Sequence, residues 1–205
     1  YQDEAYAQRF REAVAKVRAA DERAGNGTMR LTRTLAEGLY RAMAYKDEYE
    51  VARLYSQPDF RARLEAQFDT PRKLKVLLAP PLISRTLDAR TGRPRKIAFG
   101  PWIFTAFRLL ARAKRLRGTA FDPFGRTEER RMEREFASLC LADAGRIASL
   151  VGTANYGLLV ELARIADTVR GFGPVKEANF AKAMARRDAL LAQLAPQGEG
   201  TPVME

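Results

Sequence analysis

The chain has 205 residues, 46% apolar and 30% charged, with 36 basic against 25 acidic side chains and a formal net charge of +11. That length suits one domain with a sizeable core, and the composition excludes collagen-like and wholly disordered chains. With no histidine and one cysteine, Cys140, His-based triads, His metal sites, an internal disulfide and four-cysteine zinc or iron–sulfur sites are all excluded.

Residues Gln2 to Arg23 read as a first helix. Alanine is frequent there, and Tyr6, Phe10, Val14 and Val17 recur at helical spacing. Asp3 suits its N-cap, and Gly25-Asn26-Gly27 ends it, since these residue types accept positive φ. Thr28 or Thr32 opens a second helix, in which Leu31, Leu35, Leu39 and Met43 repeat every four residues. No breaker interrupts Ala44 to Tyr55, so helix is expected to run on through that block. Ser56 or Asp59 caps a short helix around Phe60, Leu64 and Phe68.

Lys73 to Leu78 is short, apolar and partly alternating, a strand stopped by Pro80-Pro81. A turn-rich link, Asp88 to Pro94, leads to Lys96-Ile97-Ala98-Phe99, its antiparallel partner in a long-looped hairpin. Gly100-Pro101 starts a helix that is apolar on most sides through Trp102, Ile103, Phe104, Phe107, Leu109 and Leu110. It is either the central core helix or one that buries against parts of a longer protein. Arg117 to Gly125 is loop. Thr127 caps a long helix to about Leu150, with Glu128 and Glu129 suiting its first-turn dipole and Met132, Phe136, Leu139 and Ala142 on its buried face. Gly152 breaks it. Asn155 to Ala166 is a further helix, Gly171 to Pro174 a sharp turn, Val175 to Leu194 the last helix, and Ala195 to Glu205 a frayed, disordered tail. The expected fold is a mainly helical, bundle-like single domain over 1–194 with a small antiparallel β-hairpin.

The positive charge is uneven. From Pro71 to Gly118 there are 13 basic residues and one acid, Asp88, leaving 23 basic against 24 acidic residues elsewhere. One basic surface is expected, with three readings: a grip for nucleic-acid phosphates, a dock for an acidic protein such as a ferredoxin, or a solvated face of an Arg-rich sequence. No helix-turn-helix, aromatic RNA-binding pattern or finger accompanies it. Arg90, Arg93, Arg95, Lys96, Arg112, Lys114 and Arg115 are its candidate anion- or partner-binding residues. Lys176 is a further candidate, because it follows Gly171-Phe172-Gly173 at a helix start where an anion can sit. The plainer reading of those glycines is a tight helix–helix turn.

Three other groups carry plainer readings. Cys140 lies mid-helix between Leu139 and Leu141 with no adjacent basic group, and reads as buried and inert. Asp47 and Glu50 share a helix face as a conceivable acid–base pair, but Lys46, Glu50 and Arg53 are spaced for ordinary helix ion pairs, and a salt network is the reading adopted. Trp102, Phe104 and Phe107 read as core rather than as a base-stacking platform. Tyr1-Gln2-Asp3-Glu4 has neither the basic nor the apolar region of a signal peptide, and Tyr at position 1 reads as a piece of a longer polypeptide. No apolar run of about 18 uncharged residues occurs, so no membrane-spanning helix is expected.

Several strings occur together in order: MAYKDEYEVARL at 43–54, LAPPL at 78–82, TGRPRK at 91–96, FGPW at 99–102, LRGT at 116–119, FDPFG at 121–125, EERR at 128–131 and RGFGPVK at 170–176. In this combination the sequence, from Tyr1 to about Leu194, resembles the C-terminal domain of the indolepyruvate ferredoxin oxidoreductase family. That domain follows the γ domain, either in the smaller subunit of the two-subunit enzyme or in a fused chain. The resemblance implies a cytoplasmic parent enzyme that oxidatively decarboxylates an aryl 2-oxo acid on thiamine diphosphate. Electrons would leave through [4Fe–4S] clusters to ferredoxin, and the acyl group would pass to coenzyme A. This sequence has no Gly-Asp-Gly thiamine motif and no cysteine-rich ferredoxin pattern, so no catalytic or cofactor-binding residue carries over. The resemblance implies an accessory domain that supports assembly with the thiamine-binding subunit and the γ domain, and conceivably meets ferredoxin.

Overall fold

The computed structural model describes residues 1–24, 27–67, 74–79, 95–152, 155–171 and 173–195. Among them are eight α-helices, two short 3-10 segments and one two-stranded antiparallel sheet, so the protein is mainly helical with a small β-hairpin. Contacts divide the chain into two compact units. One is Tyr1–Asp3 with Tyr45–Arg131, and the other is Glu4–Ala44 with Met132–Glu205.

The second of these holds the larger core. It is built by α1 (Glu4–Arg23), α2 (Arg30–Met43), most of α6 (Glu128–Leu150), α7 (Tyr156–Arg164) and α8 (Pro174–Leu194). The four-residue repeat of α2 buries Leu31, Leu35, Leu39 and Met43 against Ile147 and Ala144 of α6, Leu159 and Leu162 of α7, and Leu190 of α8. Each such side chain contributes about 1.5–3 kcal/mol by leaving water. Val17 is fully buried, and Tyr6, Phe10 and Val14 pack beside it, as the spacing in α1 predicts. Gly38 lets α2 approach closely: a Cβ there would lie 2.9 Å from the Ala166 Cβ.

Three expectations for this unit need correcting. First, α2 opens at Arg30, not at a threonine cap. Met29 precedes it with φ of 49° and no side-chain cap. The work of capping is done from α1, where the buried Asp21 accepts hydrogen bonds from the Thr32 amide (3.0 Å), the Thr32 hydroxyl (2.8 Å) and the Tyr156 hydroxyl (2.9 Å). The Tyr156 oxygen in turn accepts from the Leu31 amide (3.1 Å). Second, α2 does not run on to Tyr55. It stops at Met43, because Asp47 adopts an extended conformation and caps a new helix by accepting from the Glu50 amide (2.8 Å). The break coincides with a boundary between the units. Third, the buried face of α6 is Glu133, Phe136, Ala137, Cys140, Asp143, Ala144 and Ile147; Ala142 is exposed and Met132 and Leu139 are only half-buried. The apolar residues alone misplace that face because two acids belong to it. Glu133 pairs with Lys176, and Asp143 accepts from Arg187 Nε (2.6 Å) and an Arg187 Nη (2.8 Å), both cations being on α8.

Helix ends elsewhere follow local chemistry. Thr127 precedes α6 and accepts from the Arg130 amide (3.3 Å), and Asn155 caps α7 through the Gly157 (2.9 Å) and Leu158 (3.3 Å) amides. Gly152 ends the α6 segment with φ of 91°, and Gly173 turns the chain into Pro174 with φ of 55°.

The other unit contains α3 (Glu48–Tyr55), α4 (Pro58–Gln67), β1 (Val76–Leu78), β2 (Ile97–Phe99) and α5 (Ile103–Arg112), followed by a 3-10 turn at Ala113–Leu116. The strands pair antiparallel with Val76 opposite Phe99 and Leu78 opposite Ile97. Phe68, Lys73, the Pro80-Pro81 stop and the link at 88–94 lie outside the described residues, as do Gly25, Asn26, Phe172 and the tail beyond Ala195. The core here is small: Ala52, Val76, Ile103 and Phe107, with Tyr55, Leu78, Phe99 and Phe104 packed on it. A turn from Gly100 to Trp102 leads into α5, with the Ile103 amide donating to the Gly100 carbonyl (3.1 Å).

Two members of the expected apolar core of α5 face solvent. Trp102 is 62% exposed and Leu109 63%, whereas Phe107 is buried and Phe104 half-buried. The hairpin and α3 cover only one side of a helix whose residues are apolar around most of its circumference.

Candidate functional site

The unit of Tyr45–Arg131 carries most of the groups the sequence singles out, and its interior is organised by two carboxylates. Asp47, placed at the start of α3 by its capping role, also receives one edge of the Arg117 guanidinium in a two-pronged pair: Nε bonds Oδ2, and an Nη lies 2.9 Å from Oδ1. The side chains are 3% and 4% exposed. The guanidinium carbon sits 4.0 Å from the centroid of the Tyr1 ring, and a remaining N–H reaches the Tyr1 carbonyl (3.3 Å). Burial works against the Arg117 charge, but Asp47 and the surrounding acceptors hold its pKa above the ordinary value.

Asp122 closes the following loop. Its carboxylate accepts from the Gly118 amide (2.8 Å), the Phe124 amide (3.1 Å) and the buried Tyr49 hydroxyl (3.0 Å), with the Gly125 amide as a further donor. Burial alone would raise its pKa; these hydrogen bonds outweigh it and hold the carboxyl below its usual range. Burial and the bond to Asp122 together push the Tyr49 hydroxyl well above ordinary tyrosine. Gly118 turns the chain with φ of 74°. A Cβ on Gly125 would come within 2.5 Å of an Asp122 oxygen, so this loop tolerates no larger residue there. The result is a rigid loop that presents Phe121, 81% exposed, to solvent.

The conceivable acid–base pair is thereby committed elsewhere. Asp47 serves as cap and Arg117 partner. Glu50 accepts from Arg53 Nε (2.8 Å) and an Arg53 Nη (2.7 Å), the ion pair its spacing predicts. Burial raises its pKa, but Arg53 prevails and leaves it lowered. Glu50 therefore lacks the raised pKa that would hold a proton for transfer near neutrality. Cys140 is buried in the other unit, with burial and Asp143 pushing its thiol up to about 12. That is far from the thiolate that nucleophilic attack requires.

The basic candidates separate. Arg90 and Arg93 lie outside the described residues. Arg95 and Lys96 are exposed at the entry to β2; Arg112 and Arg115 are exposed, and Lys114 half-buried, around the end of α5. Lys176 belongs to the other unit, where its ammonium meets Glu133 at 12% side-chain exposure, so the anion at that helix start is one of the chain's own carboxylates. Arg117, buried and paired with Asp47, is not among the candidates, and neither are Asp122 and Tyr49. The only local sign of Asp122 is its place in Asp-Pro-Phe-Gly, where an aspartate bonds amides two and three residues on. Nothing local in the sequence marks Arg117 as buried, because its partner lies 70 residues away.

Among the described residues every buried side-chain nitrogen and oxygen has a hydrogen-bond partner. No group of three or more His, Cys, Asp or Glu among them could hold a metal ion, and no helix is long and apolar enough to cross a membrane. Fold and site together define a mainly helical protein whose buried charges serve its own architecture. The chain belongs to the family of unknown function DUF6537, whose model matches residues 1–189. No curated protein and no solved structure matches it.

Proposed function

We propose that this chain is a cytoplasmic accessory domain of a thiamine-dependent arylpyruvate:ferredoxin oxidoreductase, supporting subunit assembly rather than chemistry. The ordered strings from MAYKDEYEVARL to RGFGPVK support the link to that enzyme. The observation that carries the assembly role is the placement of large exposed apolar side chains. Among the described residues Leu77, Ile97, Trp102, Leu109, Leu116 and Phe121 belong to the unit of Tyr45–Arg131, against Tyr40 and Val175 in the other. Exposed aromatic and aliphatic groups on ordered elements are what a protein partner covers. Thiamine diphosphate, the [4Fe–4S] clusters and coenzyme A belong to the parent enzyme in this reading. A cluster does not fit here: the one cysteine is buried and its thiol is raised, and such clusters need several thiolates.

The test is co-elution of the chain with the thiamine-binding subunit and the γ domain at low and moderate salt. Co-elution at both salts supports assembly through apolar contact, and co-elution at low salt alone supports an electrostatic dock on the basic stretch. No association at either salt refutes the reading.

A further inference from the structure

The outer face of α5 combines two features that the fold itself does not use. Continuing the helical spacing from Trp102, the exposed residues Thr105, Arg108, Leu109 and Arg112 fall within about a third of the circumference. Ile103 and Phe107 occupy the opposite side, against Ala52 and Val76. Trp102 and Leu109 stand two turns apart on one edge of the exposed arc, and Arg108 and Arg112 lie along the other. The Trp102 ring is held in place by Phe99, edge to face with centroids 5.7 Å apart. Arg108 donates to the Thr105 hydroxyl (3.1 Å) along the helix.

The charge on this face is not neutralised from within. No acidic residue occurs between Asp88 and Asp122. Arg53, Arg117 and Arg130 of this unit do form ion pairs, each with a carboxylate on or beside α3. Among the described residues, Arg108, Arg112 and Arg115 meet no carboxylate.

We infer that the outer face of α5 docks an acidic protein surface with an apolar centre. Trp102 and Leu109 are the anchors, and Arg108, Arg112 and Arg115 pair with carboxylates at the rim. The inference rests on the assembly reading above and names the chemistry of the partner. Two features select protein over nucleic acid. Leu109 gains nothing from phosphate or sugar. The cations occupy one side of the apolar stripe, whereas a helix lying in a duplex groove has a phosphate backbone on both sides. The cations on the arc are arginines, whose planar fork pairs edge to edge with an anion and so sets the sign of the partner's charge. A tryptophan already fixed by Phe99 loses little further freedom when it is covered, which favours it as an anchor.

Trp102 is the only tryptophan in the chain, so its fluorescence reports directly on this face. The full chain is titrated with a short amphipathic Leu/Glu peptide, with the same peptide carrying Gln for Glu, and with mixed-sequence duplex DNA. The acidic peptide is expected to give a saturable blue shift that weakens at least about tenfold with Gln for Glu, and about tenfold in Leu109→Ala or Arg112→Glu. Both substitutions are at exposed positions, and an unchanged urea midpoint confirms that the fold persists. Equal binding of the two peptides, tighter binding of DNA, or no shift with the acidic peptide overturns the inference. The assembly reading is judged separately by co-elution. If the Leu109→Ala/Arg112→Glu variant still co-elutes with the parent subunits, α5 is not the dock and the assembly reading stands. If the wild type does not co-elute yet the acidic peptide binds, the assembly reading fails and the docking face remains.

Discussion

Replacing Asp47 by alanine tests the most buried charge pair among the described residues. The substitution removes the α3 cap on the Glu50 amide and deprives the Arg117 guanidinium, 3% exposed, of its bonded carboxylate, leaving nearby the Tyr1 carbonyl, two aromatic faces and the Glu50 charge, which is not bonded to it. Losing a cap costs about 1 kcal/mol, and leaving a buried charge without its partner costs about 3–5 kcal/mol. The second effect dominates because a full charge costs more to bury unpaired than a neutral amide does. With a urea dependence of about 1.5–2 kcal/mol per molar, the midpoint falls by roughly 1.5–3 M. Trp102 lies in the same unit as the pair, so its fluorescence isolates the affected transition, while circular dichroism follows all the helices. Arg117→Met alone leaves Asp47 capping α3 and costs less. The double variant Asp47→Ala/Arg117→Met is expected to be about 1–3 kcal/mol more stable than Asp47→Ala, because the stranded charge is gone. A loss under about 1 kcal/mol for Asp47→Ala would mean the pair behaves as an exposed one. A double variant as costly as the two singles combined would show no coupling. Either result refutes the argument from burial.

Two further outcomes follow from the packing and the carboxylates. Gly38→Ala should destabilise the unit of Glu4–Ala44 and Met132–Glu205 by about 1–3 kcal/mol, since its Cβ would meet the Ala166 Cβ and the Ala163 carbonyl; a thermal melt by circular dichroism checks it, and a neutral or higher midpoint contradicts the close approach. Asp122 is depressed in the folded state and Tyr49 is raised, so their pH effects run in opposite directions. The Asp122 contribution is complete above the unfolded carboxyl value of about 4 and is lost as pH falls through its folded value; the Tyr49 effect removes stability as pH rises above about 10. In Trp102-monitored urea midpoints against pH, Asp122→Asn should flatten the acid limb and Tyr49→Phe the alkaline limb. Unchanged limbs would count against the Tyr49–Asp122 bond.

How much of this was legible in the residue order depends on the range of the interaction involved. Spacing of apolar residues predicts α1 and α2 and their buried stripes, because helical periodicity is a local property. The caps at Thr127 and Asn155 are equally local, and so is the hairpin between 76–78 and 97–99. Asp47 reads as mid-helix in the sequence because a carboxylate among good helix formers looks like a surface residue; only its extended conformation makes it a cap. The buried face of α6 was rotated by the same kind of blindness, since Glu133 and Asp143 are acceptable inside only where Lys176 and Arg187 of α8 arrive to meet them.

The sequence by itself determined the helical class, the hairpin, the exclusion of histidine chemistry and the concentration of positive charge between Pro71 and Gly118. Tertiary structure decided which of those charges are spent. Arg117 is withdrawn into the interior by a partner 70 residues distant and, elsewhere in the chain, Lys176 is neutralised by Glu133, while Arg108, Arg112 and Arg115 stay exposed. Charge is a property of a residue, but its availability depends on what the rest of the chain brings within reach, and that is set only when the helices pack.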